Sequence, residues 1–287
     1  MYRMYIGDDG PAFVAGAVEY TRGLMKKISD MPYDKIIDTG VIRKLSCGGH
    51  ENGSLVCNPI LLANERIALE LPRLIGQDIL FPEPTIEEYS DRLNHDKNFV
   101  KGLAKYNSRV EIAYKSRAVD IHLNGGFSLK SPQMIARISV LLNQRVNFRK
   151  KVMKPNSLES RLPTGSKDWL FEFERAIIGV AEKYSSSKDY SSRYGWKPHN
   201  PKNKDNDQII FARTLALGRP ATIVTTDSDF LRLFKAYQRA YVDGEITGRV
   251  PIEFTSPAKL QIAFLKPQTT EFDFIFSEKN LDAVHIK

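Results

Sequence analysis

The stretch Ala221-Thr222-Ile223-Val224-Thr225-Thr226-Asp227-Ser228-Asp229-Phe230 decides the fold. Its first five residues are small, apolar or β-branched, and a polar turn with two acids follows at once. Residues from about Phe230 to Tyr241 then space their apolar side chains as a helix does. This is a short buried strand that delivers carboxylates to the start of a helix. Two earlier stretches share the design. Lys35-Ile36-Ile37 runs into Asp38-Thr39-Gly40, and Asp78-Ile79-Leu80-Phe81-Pro82 runs into a helix with Pro84 in its first turn. Short apolar strands alternating with helices predict an α/β fold with a mainly parallel central sheet flanked by helices. Functional sites in such sheets lie at the carboxyl ends of the strands.

Working outward, helical spacing of Phe13, Val14, Ala17, Val18, Leu24, Met25 and Ile28 predicts a helix over 11–31, within an N-terminal segment 1–33. The first part of the α/β core spans 34–97, with a Gly- and Asn-rich loop between Cys47 and Asn58 and a helix over about 59–75. Residues 98–183 read as a helical insertion in three pieces. Asn124-Gly125-Gly126 forms one break, and Lys154-Pro155-Asn156 with Leu162-Pro163-Thr164-Gly165 forms the other. The second part of the core spans 184–245. It opens with a polar basic loop, 185–206, followed by a helix from Asp207 to Leu217 that Gly218 stops. Pro251-Ile252-Glu253-Phe254 and Phe272-Asp273-Phe274-Ile275-Phe276 predict a β-rich C-terminal extension over 246–287.

Composition narrows the function classes. The 287 residues hold 42 Lys+Arg against 34 Asp+Glu, a formal charge of +8 that suits a polyanionic partner. Fifteen Phe, 12 Tyr and 2 Trp argue for a packed core. No apolar run approaches the ~20 residues that span a bilayer, so no membrane association is expected. The opening MYRMYIGDDG lacks a basic, then apolar, leader, and two cysteines cannot staple a chain this long. A reduced, cytoplasmic setting is expected. Cys47, His50 and Cys57 do not have the spacing of a zinc site.

The acids carry the chemistry. Asp38 closes the first strand, Asp207 opens a helix with Asp205 just before it, and Asp227 and Asp229 follow the later strand. Glu88, with Glu87 beside it, lies on the helix entered from the second strand. Carboxylates gathered at one sheet edge repel unless a cation sits between them, and hard oxygen ligands suit Mg²⁺ or Mn²⁺. Such ions serve phosphodiester hydrolysis. The loop residues Arg193, Tyr194, Trp196, Lys197, His199, Lys202 and Lys204 mix cations with aromatic rings, as single-strand binders do, and stand just before Asp207. A second basic run is Arg145, Arg149, Lys150, Lys151 and Lys154. The plainer readings are that Asp-Ser-Asp caps a helix and that Glu88 and the basic runs are solvated surface.

These residues also carry a resemblance. Ile36-Ile37-Asp38-Thr39-Gly40-Val41-Ile42 resembles the opening motif of the PIN-domain nucleases. Asp207-Gln208-Ile209-Ile210-Phe211-Ala212 with Leu217-Gly218, and Ile223 to Phe230, resemble the family's later helix and its acid-bearing strand end. Thr225 stands eighteen residues after Asp207, in the family's order, and this pairing is the specific part. Ile79 to Tyr89 is similar to the segment holding the middle acid. The resemblance implies a PIN-like core and catalytic acids at Asp38, Glu88, Asp207 and Asp227. It implies metal ligation by Asp38, Asp207 and Asp227 with Asp229 auxiliary, and a hydroxyl near the metal at Thr225. Glu87, Glu65 and Glu70 remain alternatives for the middle acid. Gly40 departs from the family, which usually has Asn there, and most of the chain is unmatched.

The implied function is an Mg²⁺- or Mn²⁺-dependent endoribonuclease cutting single-stranded or loop RNA, with DNA as the alternative substrate. An inhibitory partner protein, as the family's toxin members have, or a homo-oligomer fits the same reading. Two other classes compete. One is a PIN-like nucleic-acid-binding or scaffold module that has lost catalysis, and the other is a phospho- or glycosyltransferase using Asp227-Ser228-Asp229 as its D-x-D.

Overall fold

The computed structural model describes residues 10–47, 58–105, 132–163, 167–185, 206–245, 254–266 and 269–275. His50, Cys57, the Asn124 break, residues 251–253, Phe276 and the loop with Asp205, Arg193, Trp196, Lys197, Lys202 and Lys204 lie outside them.

Helix α1 spans Gly10–Ser29 and ends before Pro32. Strand β1 (Asp34–Ile37) leads into α2 (Thr39–Cys47), and α3 (Asn58–Leu74) precedes β2 (Ile79–Leu80). Helix α4 runs Glu83–Lys105 with Pro84 in its first turn, and α5 runs Pro132–Phe148 with Pro132 at its start. A missing N–H costs nothing at those positions, because first-turn amides have no partner within the helix. A π-helical turn, Arg149–Met153, and a 3₁₀ turn, Leu158–Arg161, follow α5. Then come α6 (Lys167–Ser185), α7 (Asn206–Leu215), β3 (Ala221–Thr225), α8 (Asp229–Val242), β4 (Leu260–Leu265) and β5 (Phe272–Ile275). Gly218 follows α7 with φ of 68°, a left-handed conformation that glycine adopts without strain.

The sheet order is β2-β1-β3-β4-β5, with β5 antiparallel and every other pair parallel. The expected α/β class and mainly parallel sheet are therefore present. Two expectations change. Helix α4 passes through residue 98 without a break, so no element boundary falls there. The C-terminal strands are not an appendage, because β4 pairs with β3 along its whole length, from Ala221 opposite Leu260 to Thr225 opposite Phe264.

Alternate residues of each strand point to opposite faces. Ile37, Ile79, Val224, Ala263 and Leu265 join one core with residues of α1 to α5. Ile36, Leu80, Ala221, Ile223, Leu260 and Ile262 join a second core with α6, α7 and α8. Burial on both faces explains why the strands read as continuous apolar runs.

The segment 98–183 is mainly helical where it is described, yet its helices do not share one face of the sheet. Its part α5 covers the first face and α6 the second. Between them the chain passes around the β2 edge of the sheet. Phe81 N–H donates to the Asn156 carbonyl at 2.9 Å, and Leu158 N–H donates to the Phe81 carbonyl at 3.1 Å. Met153 is thus buried in one core and Leu158 in the other. This strap satisfies the edge that β2 would otherwise expose.

One arginine fastens the strap. Arg213 on α7 donates Nε to Glu174 of α6 at 2.7 Å and Nη1 to Glu159 at 2.7 Å and Glu83 at 3.1 Å. Burial alone would pull its guanidinium pKa down, but the bonds to Glu174 and Glu159 outweigh that and hold it above its usual value. Glu174 is 5% exposed, so removing Arg213 strands a buried charge. Arg213→Met is expected to cost about 3–5 kcal/mol in urea unfolding. Arg161→Met, at an exposed position nearby in the chain, is expected to cost less than about 0.5 kcal/mol.

Candidate metal centre

Strands β1 and β3 are neighbours, but the helices that follow them leave to opposite faces. Helix α2 buries Val41, Ile42 and Leu45 in the first core, and α8 buries Phe230, Leu231 and Phe234 in the second. A crevice opens at such a reversal, outside the carboxyl ends of the strands. The acids meet there.

Asp38 continues the β1 ladder, its N–H donating to the Val224 carbonyl at 3.0 Å. Its carboxylate is 6% exposed and accepts Thr225 Oγ1 at 3.0 Å and the Gly40 N–H at 3.3 Å, both on Oδ2. Thr225 ends β3, and its Oγ1 also accepts the Asp227 N–H at 2.9 Å. One hydroxyl thus links the two strand ends. Burial pushes the Asp38 carboxyl up to about 6, against the opposing pull of Thr225 and the Thr39 and Gly40 amides, and the Asp227 charge adds to the rise. Asp227 accepts the Asp229 N–H at 2.9 Å, closing a turn onto the first residue of α8, while the N-cap residue Ser228 makes no side-chain cap bond. Arg232 donates to Asp229 Oδ1 at 2.7 Å.

Asp207, in the first turn of α7, completes a group. Asp207, Asp227 and Asp229 each bring a carboxylate oxygen within 4.8 Å of the others, on side chains that reach solvent. Oxygens around a small octahedral cation at about 2.1 Å stand about 3 Å apart in cis and about 4.2 Å in trans, so carboxylates gathered within 4.8 Å could hold one by drawing in slightly. Asp38 stands behind the group, joined to it through Thr225.

Glu88 is placed differently. Thr85, one turn before it, donates to the Ile37 carbonyl at 3.3 Å, so the start of α4 lies against the end of β1. Yet Glu88 Oε1 accepts Arg43 at 3.0 Å and Arg92 at 2.7 Å, and it is not among the three grouped carboxylates. The Arg92 pairing has the i,i+4 spacing of a helix ion pair and was visible in the sequence. The other candidates for the middle acid are not in the group either: Glu65 is bonded to Arg137, Glu70 to Arg22, and Glu87 is exposed.

No family model matches the chain, and no curated protein or solved structure matches it either. The site therefore rests on its own geometry.

That geometry accounts for Gly40. A Cβ there would stand 2.1 Å from Thr226 Oγ1 and 3.2 Å from Asp38 Oδ2. The Thr226 side chain occupies the space that a side chain at position 40 would need. Nothing in the sequence around Gly40 signals this, because Thr226 is far away along the chain.

The raised Asp38 pKa sets a pH dependence. A carboxyl raised in the folded state from 3.8 to about 6 binds its proton more tightly when folded. Its stability contribution is whole below about 3.8 and is lost as pH rises through about 6, on the order of 3 kcal/mol in all. In urea unfolding with EDTA, the wild type should lose stability relative to Asp38→Asn over that window. Parallel pH profiles of the two proteins would contradict the assignment.

Proposed function

We propose that the chain is a metal-dependent nuclease that hydrolyses phosphodiester bonds, with single-stranded or loop RNA as the preferred substrate and DNA as the alternative. The observation that carries this reading is the set of three carboxylates of Asp207, Asp227 and Asp229 at the β1–β3 crevice, with Asp38 tied to them by Thr225. The motif resemblance to PIN-domain nucleases names these positions and, in addition, Glu88, which lies outside the group. Oxygen-only donors at this spacing favour Mg²⁺ or Mn²⁺.

When bound, such an ion supplies Lewis-acid stabilisation of the charge that builds on a phosphodiester and lowers the pKa of water. The chain supplies the rest. Asp207, Asp227 and Asp229 hold the charge in place. Thr225 fixes Asp38 Oδ2, and the starts of α2, α7 and α8 direct their backbone N–H groups toward the same edge, favouring anions there. The excess of cations, +8 over the whole chain, favours a polyanionic substrate.

A second reading has a specific observation behind it. Glu88 is held by two arginines and position 40 has no side chain, which together favour a PIN-like binding module without catalysis. Metal and activity separate the two. On the nuclease reading, Mn²⁺ raises the wild-type melting temperature, and Asp207→Asn or Asp227→Asn each abolish both that rise and Mn²⁺-dependent RNA cleavage. Without metal, both variants should be slightly more stable than the wild type, because carboxylate repulsion is relieved. Cleavage that survives EDTA, or that persists in the double variant, would rule out the metal mechanism. A wild type insensitive to Mn²⁺ and without cleavage would support the binding module.

A further inference from the structure

Half of the described arginines bond an acid. Arg22, Arg43, Arg92, Arg137, Arg213 and Arg232 each bond a carboxylate. Arg145 and Arg149 are different. Both are half-buried, and Nε and Nη2 of Arg145 and Nε of Arg149 are sealed from water with no hydrogen-bond partner. A guanidinium partly withdrawn from water without an acceptor is costly, and an anion held at the part of each group that still reaches the surface offsets that cost. The two stand one helical turn apart, where α5 passes into the π-helical turn Arg149–Met153, a local distortion frequent at functional sites. The neighbouring Gln144 amide, whose buried Oε1 also lacks a partner, presents a further donor when turned about its terminal bond. Lys150, Lys151 and Lys154 stand exposed beside them.

Packing places this turn at the acidic edge of the sheet. Phe148, between the two arginines, meets Phe81 and Tyr89 edge-on, each at 6.2 Å. Phe81 follows the carboxyl end of β2, and Tyr89 follows Glu88 one turn beyond Thr85, which bonds the carbonyl before Asp38.

We propose that Arg145 and Arg149 form a phosphate-binding site that holds the backbone of a nucleic-acid strand beside the crevice. Guanidinium groups suit this role because their fork of donors matches phosphate oxygens. The site deepens the nuclease reading, yet it is tested by binding alone, so either can fail without the other.

The test uses full-length Asp207→Asn protein in EDTA with a fluorescently labelled oligouridylate. Replacing both arginines by Met keeps the apolar stems and removes the charge. The expected result is about tenfold weaker binding, and a salt dependence whose log–log slope falls by about 0.7 for each arginine lost. Unchanged affinity and slope in the folded variant would overturn the proposal. Should the Met variant not fold, Arg145→Lys with Arg149→Lys keeps both charges and loses the planar fork of donors. It should then bind several-fold more weakly at an unchanged slope, and full affinity would overturn the proposal. Inorganic phosphate should raise the melting temperature of the protein carrying both arginines and not that of the Lys variant; an equal rise in both would also overturn it. Arginine-dependent capture of phosphatidylserine vesicles with no change for RNA would reassign the surface to a membrane.

Discussion

The parallel pairing of β1 with β3 is the interaction on which the rest depends. It sets Asp34 beside Ala221 and Ile37 beside Val224, and it extends one rung further through the Asp38 N–H. Because side chains alternate along a strand, a slip of one residue would turn Asp38 to the wrong face and separate it from Thr225. A parallel pair also needs a crossover between its strands, and covered faces. The long segment between β1 and β3 provides both, sending α2 to α5 over one face and α6 and α7 over the other.

The same pairing explains why acids can accumulate at one edge. Helices α2, α7 and α8 all begin there, and each brings unpaired backbone N–H groups that offset negative charge. Asp38 accepts two such amides, Asp227 accepts one, and Asp207 sits in the first turn of its helix. The compensation is incomplete. Burial still raises the Asp38 carboxyl, and the Asp227 charge adds to the rise.

Cations are distributed to match. Arg213 joins α4, α6, α7 and the strap around β2 by binding three glutamates, and Arg137 ties α5 to α3. These pairs hold the helical layers to the sheet. Arg145 and Arg149 take no part in that framework, although they lie on the same helix as Arg137 or directly after it.

By itself the sequence determined the local pieces. Apolar runs bounded by turns marked β1, β2 and β3, and periodic spacing with Pro and Gly signals marked α1, α3, α4 and α7, since these depend on neighbours a few residues away. Acids directly after strands could be placed at the carboxyl edge for the same reason. Strand β4 lies in the stretch expected to be β-rich but is not singled out there, because Leu260-Gln261-Ile262-Ala263-Phe264-Leu265 is buried on both faces and lacks a period-2 pattern. Only the tertiary structure decided which acids meet. Asp207, Asp227 and Asp229 converge while Glu88 is drawn to Arg43 and Arg92, and Gly40 yields its space to Thr226. The helical segment likewise divides between the two faces because the β2 edge needed pairing. Strand register, ion-pair choice and the filling of a gap are contests between groups far apart in the chain, and the whole packed molecule settles them.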